Sequence, residues 1–185
     1  VTATMNSNSA VYSGFVPGDD FVASYSGVFA NANAGTGKTV TINSSYSGAD
    51  VSNYNITDQT STTANISAKA LIATASASNK VYDGSSAATS ILTLSGFVGS
   101  ETVTSTNSST FNNKNAGTGK TVTVNSITLA DGTNGGLAAN YSISAGQTTT
   151  ANITPKALTV SGITASNKTY NGNAIATLNT GSVAY

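Results

Sequence analysis

The stretch Asn33–Thr41, reading NAGTGKTVT, decides the fold because it returns letter for letter as Asn115–Thr123. Two further stretches repeat: TTANISAKAL at Thr62–Leu71 returns as TTANITPKAL at Thr149–Leu158, and SNKVYDG at Ser78–Gly84 returns as SNKTYNG at Ser166–Gly172. The three offsets are 82, 87 and 88 residues, and self-similarity at such a distance indicates a tandem array of small domains. We predict a first repeat at 1–77 that lacks its opening YDG segment, a complete second repeat at 78–165, and the start of a third at 166–185.

The composition excludes most chemistry and predicts slim domains. Ser and Thr make up 57 of 185 residues, Asn adds 21, and the chain has no Arg, His, Cys or Trp. Val, Ile, Leu and Phe total 36 residues, just under the ~20% level below which disorder becomes a serious alternative. Seven Lys balance seven acids, so neither the high net charge of a disordered chain nor the clustered positive charge of a nucleic-acid binder is present. So few large apolar residues fill narrow two-layer cores better than one thick core.

The sequence contains no pattern that predicts a targeting or export signal. The sequence has no run of 18 apolar residues and no charged segment followed by an apolar one at its start, so we predict no membrane span and no signal peptide here. Because the chain begins and ends inside the repeat pattern, we expect it to be a piece of a longer protein. Charged residues are only 8%, against about 25% in an ordinary soluble protein, which favours an extracellular repeat.

Apolar residues alternate with polar ones around the repeated motifs. The alternation places Val40 and Ile42 on one buried face, and Val122 and Val124 on the matching face of the next copy. The same period occurs at Tyr54 and Ile56, Tyr141 and Ile143, Ala64 and Ile66, Ala151 and Ile153, and from Ile91 to Leu94 and on to Phe97. No helical period is sustained, and Ser, Thr, Asn and Gly are poor helix formers. The sequence therefore predicts an all-β protein.

Turn signals and one tyrosine favour a β-sandwich. Asp50 stands four residues before Tyr54, as in the corner of immunoglobulin-like domains where a tyrosine hydroxyl binds back to the backbone; the second copy keeps Tyr141 but has Leu137 in place of the aspartate. Hairpin-type turn signals stand at Asp83-Gly84, Gly117–Gly119, Asp131-Gly132, Asn134-Gly135 and Asn171-Gly172. We predict tandem immunoglobulin-like β-sandwich repeats, with a β-grasp-like unit as the alternative. A continuous β-helix is disfavoured because its period would be near 20 residues.

The joints between repeats predict an elongated rod. The stretches Ser67–Ser78 and Thr154–Ser166 contain no glycine-rich linker, and each has a strand pattern of its own, at Ala70–Thr74 and Ala157–Val160. A flexible tether would be Gly and Ser throughout. We therefore expect the last strand of one repeat to continue directly into the next.

GTGKT, at Gly35–Thr39 and Gly117–Thr121, is similar to the end of a phosphate-binding loop. The complete motif needs another glycine five residues before the Gly-Lys pair, where this chain has Ala32 and Lys114. The loop must also open a helix, whereas a strand pattern follows. We predict a glycine turn between two strands, with the lysine at the mouth of the strand.

Three acids are candidate calcium ligands, because hard cations prefer carboxylate oxygens. They are Asp83 and the pair Asp19-Asp20, but none lies in a run of alternating acids, and Asn171 replaces Asp83 in the third copy. We predict that they cap turns. Tyr82 and Tyr170 are expected to pack their rings against the end of the sandwich with the hydroxyl in water.

No catalytic, cofactor or metal site is predicted, and the chain is not expected to be an enzyme. A Lys-to-Asn crosslink would need a buried acid, and the only glutamate, Glu101, has Asp20 as its nearest match in the first copy. Its lysines would be drawn from Lys38, Lys69, Lys80, Lys114, Lys120, Lys156 and Lys168. Asn-x-Ser/Thr sequons at Asn43, Asn55, Asn65, Asn107, Asn140, Asn152 and Asn167 are expected by chance in such a composition. Nucleophilic catalysis would need His, Cys or a suitably placed Lys beside its base.

Several motifs together resemble the YDG-type tandem repeats of large secreted bacterial adhesins, the filamentous haemagglutinin-like surface proteins. They are SNKVYDG, NAGTGKTVT, the pairs Asn53-Tyr54 and Asn140-Tyr141, and TANITPKALTV. The resemblance covers nearly the whole chain and implies an extracellular or cell-surface location in a bacterium. It also implies repeats that hold a binding region away from the cell and support adhesion, aggregation or biofilm. It carries over no ligand-contacting residue and no cofactor.

Two functions remain open at this point. The first is a structural stalk or spacer whose partners are the neighbouring repeats of the same chain. The second is a module that binds surface glycans or matrix polysaccharide weakly on each copy and gains strength by multivalency, or a self-associating subunit of an extracellular filament. Homotypic association would use exposed sheet edges with few charged residues.

Overall fold

The alternating segments form strands in the computed structural model, which describes residues 2–4 and 10–182. The described residues contain no α-helix, and two 3₁₀ turns span Val51–Asn53 and Ala138–Asn140. The all-β prediction is confirmed. In chain order the strands are β1 Thr2–Ala3, β2 Val22–Phe29, β3 Gly35–Ser47, β4 Ser61–Ile66, β5 Lys69–Ala70, β6 Ile72–Ala77, β7 Lys80–Val81, β8 Ala87–Ala88, β9 Ser90–Ser95, β10 Val103–Phe111, β11 Gly117–Asp131, β12 Tyr141–Ser142, β13 Thr148–Thr154, β14 Thr164–Ala165 and β15 Leu178–Asn179.

The two copies build equivalent sheets with one difference. The first copy forms an antiparallel sheet in the order β1-β2-β3-β4. The second forms the order β8-β10-β11-β13-β7, in which β7 adds to β13 in parallel. The repeated sequence equates β2, β3 and β4 with β10, β11 and β13. Within the described residues β4 is therefore an edge strand, while β13 is covered by β7. Three two-stranded pairs complete the structure: β5 with β12 in parallel, β6 with β9, and β14 with β15.

The described chain clusters into two compact units. One unit comprises Val1–Thr74, Leu92–Asn107 and Ser126–Ala145, and the other comprises Ala75–Ile91, Ser108–Asn125 and Gly146–Tyr185. In the first of these, Leu71, Val103 and Tyr141 are buried together, with Leu94, Phe97, Leu129 and Ile143 packed against them. In the second, Phe111, Val122, Ala151 and Ile153 form the core, with Ala77, Tyr82 and Ala88 packed against it.

The predicted inward faces are largely confirmed. Val40, Val122 and Val124 are at most 1% exposed, and Ile42 is half-buried. The predicted strand at Tyr54–Ile56 is wrong, because these residues form no strand, whereas the equivalent Tyr141–Ser142 pairs with β5. The predicted strand at Ala157–Val160 is also wrong, because these residues form no strand, although the equivalent residues near Ala70 form β5 and β6. Strand formation in these segments follows the presence of a pairing partner rather than local sequence.

The predicted glycine turn is also wrong. Both GTG stretches lie inside a long strand, β3 or β11, as a bulge between Gly35 and Lys38 and between Gly117 and Lys120. A bulge admits an extra residue without ending the ladder, and a glycine with positive φ allows it. As a separate observation, none of the helices in the described part of the chain is long and apolar enough to cross a membrane.

Candidate functional site

The GTGKT lysines and glycine amides are used inside each copy. The Gly37 N–H donates to Asn65 Oδ1 at 2.8 Å, and the Gly119 N–H donates to Asn152 Oδ1 at 2.7 Å. The lysine of each motif donates to an asparagine seven residues before it, Lys38 to Asn31 and Lys120 to Asn113. The amide and ammonium groups that would hold a phosphate therefore bind asparagine oxygens. We call this arrangement the asparagine clamp.

The lysine of each SNK motif is held within the turn that follows it. Lys80 Nζ donates to Asp83 Oδ1 and to the carbonyl oxygens of Ser85 and Ala87, each at 2.9 Å. The Ser85 N–H also donates to Asp83 Oδ1 at 2.9 Å, so Asp83 caps the turn as predicted. In the third copy Lys168 Nζ donates in the same way to Asn171, to Asn173 and to the carbonyl oxygen of Ile175. We call this arrangement the lysine cage.

The Asp83 side chain is consequently more acidic than a free aspartate. The hydrogen bond from Lys80, followed by those from Ser85, lowers the pKa of Asp83 from 3.8 to about 2. The same two side chains form an ion pair at 2.9 Å. A carboxylate satisfied in this way by its own turn has little left to offer a calcium ion.

A tyrosine in each copy ties an upstream loop to the segment that follows a 3₁₀ turn. The Tyr141 hydroxyl accepts the Val98 N–H at 3.0 Å and donates to Glu101 Oε2 at 2.6 Å. In the first copy Tyr54 makes the same two bonds, to Val16 at 3.0 Å and to Asp19 Oδ2 at 2.6 Å. The bond to the carboxylate raises the pKa of both Tyr141 and Tyr54, which keeps the phenols protonated. We call this arrangement the tyrosine lock.

The lock corrects two sequence predictions. The counterpart of Glu101 is Asp19, 82 residues earlier, and not Asp20. The tyrosine also binds an upstream loop rather than the stretch around Asp50, which instead accepts the Asp20 N–H at 2.8 Å. Asp20 accepts the Ala49 N–H at 3.0 Å. Of the three candidate calcium ligands, Asp20 and Asp83 thus bind backbone amides, whereas Asp19 binds the Tyr54 hydroxyl instead of capping a turn. The acid required for a Lys-to-Asn crosslink, Glu101, is bonded to a tyrosine. Among residues 2–4 and 10–182, no three potential metal-ligating side chains come together.

An aromatic cavity in the first copy was not predicted. It has a volume of about 630 Å³, within the usual range of ligand pockets, and we call it the aromatic groove. Phe15 stacks on Tyr54 at 6.1 Å between centroids, and Phe21 meets Tyr54 edge-on at 5.6 Å. Asn55, Asp58 and Gln59 add polar groups. The aromatic residues that line the groove are Tyr12, Phe15, Phe21, Tyr25, Tyr46 and Tyr54.

Two hydroxyl contacts order the rim of the groove. The Tyr12 and Tyr25 hydroxyls are 2.7 Å apart, and this hydrogen bond raises the pKa of Tyr12. The Tyr46 hydroxyl donates to Asp58. A signal for the groove was available in the sequence, since these six aromatic residues fall within residues 12–54 of a chain with only eight Tyr and five Phe. Alternation of apolar and polar residues does not reveal this cluster, because it relates positions within one strand and not positions that are distant in sequence.

The tyrosines of the YDG and YNG turns differ from each other. Tyr82 packs against the core of Phe111, Val122, Ala151 and Ile153, as predicted. The prediction for Tyr170 is wrong, since this side chain is 93% exposed. Tyr170 follows the same motif, but the described chain provides no core for it to cover.

Residues 1–64 and 67–151 each match the family model of the YDG domain. No curated protein and no solved structure matches the chain.

Proposed function

The chain belongs to the YDG domain family, and from this premise we propose that its repeats are structural stalk or spacer units of an extracellular bacterial adhesin. In this proposal each repeat is a small immunoglobulin-like β-sandwich, and successive repeats form an elongated rod. The boundaries 1–77, 78–165 and 166–185 remain a prediction. The rod would hold a distal binding region away from the cell and support adhesion, aggregation or biofilm.

The observation that carries the proposal is the use made of the repeated residues. The asparagine clamp and the tyrosine lock occur in both copies, and the lysine cage occurs in the second and third. Each device ties a loop or bulge to its own copy, and in each the repeated polar groups bind one another. Because these repeated residues stabilise the fold of each copy, their repetition supports a structural role.

The contact between the first and second copies supports a defined joint. The Ala34 N–H donates to Asn140 Oδ1 at 2.8 Å, and Asn140 Nδ2 donates to Asn33 Oδ1 at 3.2 Å. Both partners lie in the same compact unit. Asn33 and Ala34 belong to the repeated NAG sequence, so the same motif that forms the clamp also reaches the next copy.

Binding and scattering measurements together test the proposal. The full chain is presented as monomer and as a multivalent bead coat to a panel of glycans and bacterial exopolysaccharides, and its small-angle X-ray scattering is recorded at low concentration. A spacer gives an elongated scattering profile and no saturable binding in either format. Saturable binding to beads that free sugar competes away would reject the spacer role, and a compact profile would reject the rod.

The aromatic groove favours a second candidate function, glycan binding. Exposed aromatic rings beside amide and carboxylate groups suit sugar recognition, and the Tyr12 ring is 47% exposed. A glycan site here predicts that Tyr12→Ala abolishes bead binding. Ile72→Ala serves as the control, because Ile72 is 67% exposed and does not line the groove.

A further inference from the structure

Two parallel strand pairs hold the start of the second copy to its end. β5 pairs in parallel with β12, and β7 pairs in parallel with β13. β5 and β7 belong to Lys69–Tyr82, which we call the entry segment, and β12 and β13 belong to Tyr141–Thr154, which we call the exit segment. Each pair lies within one compact unit. The chain therefore enters and leaves the second copy along strands that are bonded to each other.

Parallel pairing determines how the two segments respond to tension on the chain. Tension pulls the entry segment toward its amino end and the exit segment toward its carboxyl end. Because the paired strands run in the same direction, these pulls are opposite and lie along the strands, so the hydrogen bonds between them are loaded together. In the antiparallel hairpin of β2 and β3 the chain enters and leaves at the same end. The same tension would break the bonds of such a hairpin one after another.

Leu71 anchors the first of the two pairs. Its N–H donates to the Ser142 carbonyl oxygen at 2.8 Å, and the residue is 7% exposed in the core beside Tyr141. Lys69 Nζ donates to the Phe97 carbonyl oxygen at 3.3 Å. Sliding β5 along β12 would therefore break these bonds and also pull a buried leucine out of the core.

Side chains reinforce the second pair. The Tyr82 N–H donates to the Thr154 carbonyl oxygen at 2.9 Å, and the Thr154 hydroxyl donates to the Lys80 carbonyl oxygen at 3.3 Å. Asn79 Oδ1 accepts the Asn152 N–H at 2.7 Å, which adds one bond before β7 begins. The lysine cage holds the turn that follows β7. A slip of β7 by one residue would exchange its two faces and remove Tyr82 from the core.

We propose that these two pairs form a shear clamp, which lets the folded second copy carry tension along the chain. The load passes from the entry segment to the exit segment through bonds that must break together. This goes beyond a spacer role, because a spacer sets a distance whereas a clamp resists force. The two proposals are tested separately, since binding and scattering measurements do not load the chain and force measurements need no ligand.

Force applied along two different axes tests the clamp. The chain has no cysteine, so a pair of introduced cysteines defines where the handles attach. Handles at Ser67→Cys and Lys156→Cys pull the two segments as chain tension does and load both pairs in shear. Handles at Ser67→Cys and Ala139→Cys attach two residues before each strand of the β5–β12 pair and open that pair from one end. All three positions are exposed.

Single-molecule force spectroscopy of the full chain at constant force compares the two axes. Unfolding is expected to be about tenfold slower or more on the shear axis, because several hydrogen bonds must break together. Circular dichroism checks that both double variants are folded before they are pulled. Equal unfolding rates on the two axes, or slower unfolding on the second axis, would overturn the proposal.

Two asparagine variants locate the resistance to force. Asn79→Ala and Asn113→Ala each remove an amide oxygen that accepts a backbone N–H, from Asn152 and Asn115 respectively, but Asn113 lies outside both pairs. On the shear axis Asn79→Ala should unfold roughly fivefold faster, whereas Asn113→Ala should stay close to the unsubstituted rate because its bonds are not loaded. Thermal unfolding has no direction and should be affected by both changes. If Asn113→Ala accelerates forced unfolding as much as Asn79→Ala does, the resistance comes from general stability and the clamp is rejected.

Discussion

The hydroxyl of Tyr141 is the residue-scale feature on which the second copy depends most. It accepts the Val98 N–H and donates to the Glu101 carboxylate, and Tyr141 is only 5% exposed. Tyr141→Phe leaves both groups unpaired, and an unsatisfied polar group costs more than the lost bond itself. We expect the melting temperature to fall by about 5 °C, as judged from a repeat of ordinary size. Thermal unfolding followed by circular dichroism measures it.

The Tyr54→Phe and Tyr170→Phe variants provide comparisons for the decrease in melting temperature of Tyr141→Phe. Tyr54 makes the same lock in the open first copy, where water can replace the lost partner, so the decrease should be smaller. Tyr170 is 93% exposed, and its change should have no effect. Equal decreases in all three variants would show that the lock contributes nothing beyond the general loss of a hydroxyl.

Asp83 gives the second residue-scale prediction, a pH dependence. Its pKa is lowered from 3.8 to about 2 in the folded chain, chiefly by Lys80. A lowered carboxylate pKa stabilises the fold fully above the unfolded pKa, and that stability is lost as pH falls through the folded pKa. The wild type should therefore lose stability between about pH 4 and pH 2, and Asp83→Asn should lose less over that window. Melting temperatures from pH 5 to pH 2 test this.

The Lys80→Met variant tests whether the pH effect arises from the ion pair between Lys80 and Asp83. With Lys80→Met, the difference between Asp and Asn at position 83 should shrink, because the main cause of the lowered pKa has been removed. The third copy already has Asn at the equivalent position 171 and keeps its lysine cage. If the difference between Asp and Asn is unchanged in that background, Lys80 is not its origin.

At the scale of elements, Gly119 in β11 and Gly132 just after it allow backbone strain to be distinguished from steric clash. Gly119 has φ of 59°, and a Cβ there would meet no atom within 4 Å. Gly119→Ala should thus cost only the left-handed penalty of about 1–2 kcal/mol. Gly132 has no such φ, but its Cβ would lie 2.2 Å from the Thr102 carbonyl oxygen. Gly132→Ala should cost about 3 kcal/mol or more, since backbone has to move.

Denaturant unfolding of three variants measures this difference. Gly119→Asn is the control, because asparagine tolerates left-handed backbone and should cost less than Gly119→Ala. Should Gly119→Ala prove as harmful as Gly132→Ala, the bulge would be limited by packing rather than by its backbone angle.

The elements also show where sequence reasoning succeeded and failed. The alternation of apolar and polar residues correctly predicts that Val40 and Val122 are buried, because a strand with one buried face has an apolar residue at every second position. The glycines of GTGKT were interpreted as a turn because glycine marks both turns and bulges, and only the pairing with the next strand distinguishes them. Tyr54–Ile56 was predicted as a strand because its sequence resembles Tyr141–Ile143, whose strand exists only where β5 pairs with it.

The candidate site was harder to predict than the fold. The aromatic groove brings Tyr12 together with Tyr46 and Tyr54 from three separate segments. No single window contains that juxtaposition. The tyrosine lock was anticipated only as a corner tie, and its carboxylate partners at Asp19 and Glu101 lie 35 and 40 residues before their tyrosines.

At the scale of the whole molecule, one short sequence lies in two different structural environments. The pentapeptide TTANI occurs at Thr62–Ile66 in β4 and at Thr149–Ile153 in β13. β13 is covered by β7 and its inward residues are buried, whereas β4 is an edge with Ala64 exposed. Identical sequence gives nearly identical intrinsic amide exchange, so any difference in exchange rate reports local stability alone. The chain thus contains its own control.

We expect amides of Thr149–Ile153 that bond across to the neighbouring strand to exchange at least tenfold more slowly than those of Thr62–Ile66, because local opening of an edge strand exposes less apolar surface. Hydrogen exchange detected by NMR distinguishes the two copies. Equal exchange in both copies would mean that pairing with β7 contributes little to the local stability of β13.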